Sequence, residues 1–314
     1  MVDILTTILG IFISIIASFC FNFGIVLQKK GLREGSEIKI EEGVRNLYNT
    51  FKEFSKNKSW LSGTLLGLIG MIPYAIAMGL VGIVVVQPLM SIGLLFFVIS
   101  AVKMLNEKIT YYEIIAIGIL IVSPILIALA GITNIVIDLY QFVIPFIIFL
   151  SPLIVICIGF YFLSKQKRGT QFEGMFLMFI GAILYSIGAI FTNILAQAFT
   201  EANIFPLAFW EILFGIFWFD YLHLWMFISS WGMLVFYISS VIFLQSALQK
   251  SKALKIVPIQ NAIMLVIPIV AGLFVFNQTF QNYILFMVAL VLILISTISL
   301  SRFQVKIELI QTDG

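Results

Sequence analysis

Nine apolar runs, each close to or above the ~20 residues an α-helix needs to cross the hydrocarbon core of a bilayer, dominate this chain. They lie at roughly 4–28, 60–81, 83–104, 111–131, 139–164, 172–199, 225–247, 256–276 and 282–301. The runs are continuous rather than alternating, so membrane-spanning strands with a polar lumen face do not fit. Only 11% of the residues are charged and 61% are hydrophobic. A soluble domain carries about 25% charged residues. The expected fold is all-α, a polytopic membrane protein of nine transmembrane helices. A further run at 204–218 is short for a span and carries Glu211, with Asp220 just beyond it. It reads as an outer interfacial or re-entrant helix; crossing would make ten spans and would place Lys250, Lys252 and Lys255 outside.

The basic residues test the span count. With the N-terminus outside, loops 29–59, 105–110, 165–171 and 248–255 and the tail after 301 are cytoplasmic. All 18 Lys and Arg then fall at cytoplasmic loops or helix ends. This is the positive-inside pattern, and it predicts an integral plasma-membrane protein with a cytoplasmic C-terminus. No basic residue precedes Lys29, so the first run reads as a span rather than a secretory leader. Within the first cytoplasmic loop, Val44, Leu47, Tyr48, Phe51 and Phe54 recur at helical spacing, as in a helix lying on the inner leaflet. Cys20 and Cys157 both lie in apolar runs and read as small packing residues. A net charge of +3 gives no nucleic-acid signal.

Shifting the sequence by about 171 residues brings features into coincidence. Gly10 meets Gly181, Ala17 meets Gly188 and Asn22 meets Asn193. With one residue of slip Pro88 meets Pro258, and Asn106 and Glu107 meet Asn277 and Gln278. The expected architecture is two four-helix repeats, 1–137 and 166–314, joined by a central helix at 138–165. One extra crossing inverts the second repeat relative to the first, an arrangement typical of transporters that bind substrate near the midplane.

All 15 carboxylates sit in loops or near helix ends, so the membrane interior offers neutral polarity alone. Asn22 and Asn193 are expected to line a substrate path, or else to bond between helices. Gln28, Gln197 and Gln245 are further neutral polar groups within or near spans. Pro88 and Pro258 each remove a helix hydrogen bond and are expected to break their helices. Gln87, Ser91, Gln260 and Asn261 surround them, and broken helices with freed backbone groups are how transporters build neutral sites. Gly63 and Gly67 fit close helix packing. Tyr111, Tyr112, Trp210, Trp218, Tyr221 and Trp225 read as interfacial belts. His223, the single histidine, could share a metal only with Glu211 and Asp220; a surface role is the simpler reading, and the sequence leaves any metal unassigned. No zinc spacing or nucleotide-binding fingerprint is visible, and no buried nucleophile with a base supports an intramembrane enzyme.

One stretch carries more. VVVQPLMSIGLLFFVISAVKMLNEKIT, Val84 to Thr110, resembles the hallmark segment of the drug/metabolite transporter superfamily, where a helix entered through a proline ends in a Leu-Asn-Glu-basic turn. FNFGIVLQKKGL (21–32) and ALKIVPIQNAIMLVIPIVAGLFVF (253–276) are similar to segments of its NIPA-like branch of magnesium transporters. Where that branch carries an acidic residue and an asparagine in its second span, this chain has Met71 and Tyr74, with Pro73 between them. The resemblance implies a secondary transporter working by alternating access, without cofactor. Its substrate would be Mg2+ or a small neutral or zwitterionic metabolite or drug, as in EamA-like carriers. A non-transporting scaffold or sensor is the alternative. The expected partners are that small-molecule or ion substrate and the lipid bilayer; a homodimer is compatible with the sequence.

Overall fold

The computed structural model describes residues 4–32, 52–93, 111–134, 138, 141–202, 209–250 and 253–312. They form α1 (Ile4–Leu32), α2 (Lys58–Val81), α3 (Ile83–Met90), α4 (Tyr111–Leu129), β1 (Ile132–Asn134), α5 (Val143–Gln166), α6 (Gln171–Ala202), α7 (Phe209–Phe214), α8 (Tyr221–Lys250), α9 (Ala253–Phe274), β2 (Thr279–Phe280) and α10 (Tyr283–Thr312). The protein is an all-α membrane protein. Among the described residues five helices, α1, α2, α5, α6 and α8, are long and apolar enough to span a bilayer, and α9 and α10 contain shorter apolar stretches. Amphipathic residues 44–51 and the Asn106–Glu107 turn lie outside the described residues.

Helix α6 is the core. Of its apolar window 72% is buried, against 11% for α5. The reason is visible in its composition: Gly181, Ala182, Gly188, Ala189 and Ala196 let neighbours approach on several sides, and small residues are what bring helices together where lipid tails are as apolar as leucine. A Cβ on Gly181 would meet Leu244 of α8 at 2.6 Å, and one on Gly188 would meet the Tyr237 ring at 2.9 Å. The first two helices use the same device. A Cβ on Gly24 would meet the Gly63 carbonyl at 2.8 Å, with Gly67 beside it, so the Gly63/Gly67 pair is a packing surface. The linking helix α5 is peripheral, with Ile144, Ile148 and Val155 exposed as a lipid-facing wall would be. Cys20 and Cys157 are both free.

Two expectations are corrected, at Pro258 and Trp225. Within the run at 83–104 the helix pauses just beyond Pro88. Pro88 denies the helix a donor, α3 ends at Met90, and the chain tightens into i→i+3 bonds from Ser91 and Ile92 to the Pro88 and Leu89 carbonyls, 3.1 Å each. Residues 94–110 lie outside the described residues. Pro258, by contrast, breaks nothing: it is the sixth residue of its helix, as Pro88 is of α3, yet α9 runs through it from Ala253 to Phe274. Trp225 is no interfacial belt residue. It is 8% exposed and packs against Phe142 and Phe146, ring centroids 4.7 and 6.4 Å away, because α8 turns it toward the start of α5, with Tyr221 of its own face beside it. Tyr111 and Tyr112 are exposed as expected.

One end of the bundle is tied together. β1 pairs with β2 antiparallel, and Gln281 and Asn282 N–H groups donate to the Gly131 and Ala130 carbonyls at 2.8 and 3.0 Å. The turn between α2 and α3 joins them. Gly82 takes φ +76°, a backbone state that side chains resist. The Gln278 side chain lies against it and accepts from the Val84 N–H at 3.1 Å. Gln278 thus caps α3 from 194 residues away in sequence, because Gly82 has no side chain to do so.

Candidate functional site

A cavity of about 280 Å³ lies between α1, α3, α6, α8, α9 and α10. Asn22, Gln87, Ser91, Gln260 and Asn261 all line it. Five of the six polar positions named from sequence therefore converge, although they come from three helices and the turn after α3. Asn22 and Gln260 are nearer the ends of α1 and α9 that lead to Lys29 and Lys30 and to Lys255. The cavity thus occupies the half of the bundle away from the Gln278 cap.

The local backbone explains the convergence. Beyond Pro88, at the end of α3, the Met90 carbonyl accepts from the Ser18 hydroxyl at 2.8 Å. That bond draws α1 against the turn. Asn22, one turn beyond Ser18, then faces Gly93, whose Cα lies so close that any side chain there would strike the Asn22 carboxamide. Asn22 Nδ2 donates to the Ser18 carbonyl at 2.9 Å.

Sequence reasoning missed the wall behind Gln87. Its Nε2 donates to the Tyr74 hydroxyl at 2.7 Å, and the Tyr74 hydroxyl lies near that of Tyr237. The Tyr237 hydroxyl lies 3.3 Å from that of Thr192, which donates to the Gly188 carbonyl at 2.9 Å. A polar chain therefore runs from the cavity through α2 and α8 to α6, and Tyr185, in the cavity wall, packs edge-on against Tyr237 at 5.2 Å. Tyr74 stood in the sequence as a departure from the family pattern. The signal that could have placed it is that a tyrosine deep in a span needs a partner for its hydroxyl. Ser240 and Thr297 also line the cavity.

Asn193 is the exception. It does not reach the cavity; it is 0% exposed, with neither carboxamide atom hydrogen-bonded. It shares a face of α6 with Ala196 and Gln197, which lie against α2: Gln197 Nε2 donates to the Met78 carbonyl at 3.4 Å, and a Cβ on Gly79 would meet Ala196. The segment from Phe209 to His223 is equally separate. His223 Nδ1 bonds Asp220 Oδ2 at 2.9 Å and stacks on Trp218. The hydrogen bond from His223 holds the Asp220 carboxyl below its usual range. The Glu211 side chain lies outside the described residues, and among those described no three His, Cys, Asp or Glu gather as for a metal.

Chemically, the cavity presents carboxamides, hydroxyls, two thioethers (Met90 and Met264) and two aromatic rings (Phe21 and Tyr185). None of its lining residues carries a formal charge at neutral pH. Such a surface can desolvate and hydrogen-bond a small organic molecule. Compared with protein-family models, with curated proteins and with solved structures, the chain matches none.

Proposed function

We propose that the protein is a secondary carrier that moves a small organic solute across its membrane by alternating access, with the cavity between α1, α3, α6, α8, α9 and α10 as the binding site. The observation that carries this reading is the convergence of Asn22, Gln87, Ser91, Gln260 and Asn261 on one cavity beside an interrupted helix. Freed backbone and neutral side chains at such a break are the usual material of transporter sites. The two ends of the bundle support the mechanism. One is tied by the Gln278 cap and the β1–β2 ladder, while the other holds the cavity, as a carrier caught facing one way would be.

The architecture we propose is the inverted pair of four-helix repeats, in the drug/metabolite transporter class, with the lysine-rich end cytoplasmic. Two parallels support it. α1 packs along α2 as α6 packs along α8. The repeat-matched Gly10 and Gly181 take the same part, each against a large side chain of the second helix, Val81 and Leu244.

An organic solute is favoured over Mg2+, the ion implied by the family resemblance. Magnesium dehydrates reluctantly and binds through carboxylates, and no carboxylate lines the cavity among the described residues. The experiment is solute flux in proteoliposomes. Uptake should be saturable and should vanish in Gly93→Val, which pushes Asn22 into the site. Flux that Gly93→Val leaves intact removes the cavity from the pathway, and a protein-dependent Mg2+ flux would restore the ion.

A further inference from the structure

Four of the cavity's polar lining groups direct donors into the protein and not into the cavity. Asn22 spends an amide N–H on the Ser18 carbonyl at 2.9 Å. That partner is a pure acceptor, which fixes which end of the carboxamide is nitrogen. Gln260 turns its Nε2 to the Met264 sulfur at 3.8 Å, again an acceptor, and its Oε1 is buried without a partner. Gln87 gives its Nε2 to Tyr74, and Ser240 gives its hydroxyl proton to the Gly181 carbonyl at 2.8 Å. Four lining groups thus spend donors on the protein. Among their oxygens Gln260 Oε1 is buried with no partner, and each carboxamide keeps a second amide hydrogen.

A carboxylate or phosphate needs converging donors or a cation, and among the described residues no Lys or Arg lines the cavity. A divalent metal needs anionic oxygens. What suits inward carbonyl dipoles, two aromatic rings and two thioethers is a single positive charge on an organic body, held by N–H···O bonds and by the ring quadrupoles.

We propose that the cavity binds the ammonium end of a small organic monocation, with Gln260 Oε1 as its principal acceptor and Asn22 and Gln87 oxygens beside it. This rests on the carrier reading for the cavity's purpose, but its test does not require transport.

The test is calorimetric titration of the purified full-length chain with three probes of one shape: butylammonium, butan-1-ol and butyrate. Butylammonium should bind about tenfold more tightly than the alcohol, the scale expected of a desolvated cation against rings and carbonyls, and butyrate least. Gln260→Glu, of the same shape, should tighten butylammonium by a further tenfold or so and leave the alcohol unchanged. Equal affinity for the cation and the alcohol, tighter butyrate, or no binding of butylammonium overturns the proposal, and the wild-type comparison decides this even if the variant fails to fold. If the ammonium preference fails while Gly93→Val still abolishes flux of some other solute, the carrier reading survives alone. If the preference holds but no flux depends on the cavity, the binding site stands and the carrier reading falls.

Discussion

The two ends of this helix bundle are built on different rules. At the Gly82 end, polar groups pair across long sequence separations: Gln278 with Val84, Gln281 with Gly131, Asn282 with Ala130. Glycines there provide backbone shapes that bring these groups into register, Gly82 and Gly131 both having positive φ. At the Asn22 end, Ser18, Gln87 and Ser240 also bond between elements, but Asn22 and Gln260 donate within their own helices and a cavity remains between the helices. The contrast teaches that fixing an end and leaving it able to bind use the same residue types. What differs is that some carboxamides at the cavity end spend a donor one turn away and not across the bundle.

The comparison breaks most visibly at Gly82. Gly82→Val should cause the largest loss of thermal stability in detergent. A β-branched residue at φ +76° costs roughly 1–2 kcal/mol in backbone strain alone, and its Cβ would lie 2.6 Å from Gln278. A variant that melts like the parent would show that this end is not tied as described. Gln278→Ala tests the cap itself. It leaves the buried Val84 N–H without an acceptor, a loss of about 1–3 kcal/mol, and should increase labelling of a cysteine placed at Asn134; unchanged melting and labelling would remove Gln278 from the closure.

The cavity end sharpens the contrast through its two asparagines. Asn22→Leu should abolish flux with a small effect on melting, because Asn22 is half-buried at the cavity wall. Asn193→Leu should leave flux and raise the melting temperature, since an unpartnered buried carboxamide carries a desolvation penalty of about 1–3 kcal/mol that leucine removes. Lost flux in Asn193→Leu would mean that this residue meets solute in another conformation. The smallest effect belongs to the outer segment. The Asp220 carboxyl is held below its usual range by His223, so its pairing stabilises the fold above the ordinary carboxylate pKa and is lost as pH falls through the lowered one. Asp220→Asn should therefore lower the melting temperature slightly at neutral pH and not at all in strong acid; an equal change at both would assign the effect to something other than this ion pair.

The helices were legible in the sequence because their signal is local. An apolar run of spanning length has one stable form in lipid, and α2, predicted at 60–81, spans Lys58–Val81. Packing glycines such as Gly63 and Gly67 were legible for the same reason. Much of the cavity was also readable, since a carboxamide in a span must find a polar neighbour and a proline must free one, and Gln87, Ser91, Gln260 and Asn261 were named on those grounds. Equivalent positions misled where surroundings differ. Pro88 ends its helix and Pro258 does not. Asn22 meets the cavity while Asn193 is sealed among helices.

What the amino-acid sequence determined by itself is the solvent this chain folds in, most of its helices and the neutral character of its interior, because those follow from composition over windows of about 20 residues. The tertiary structure alone decided that Gln278 closes α3, that Tyr74 supports Gln87, and which of two matched asparagines faces the cavity. Those outcomes depend on which side chain from another helix arrives within about 3 Å, the reach of a hydrogen bond, and no local pattern encodes that distance.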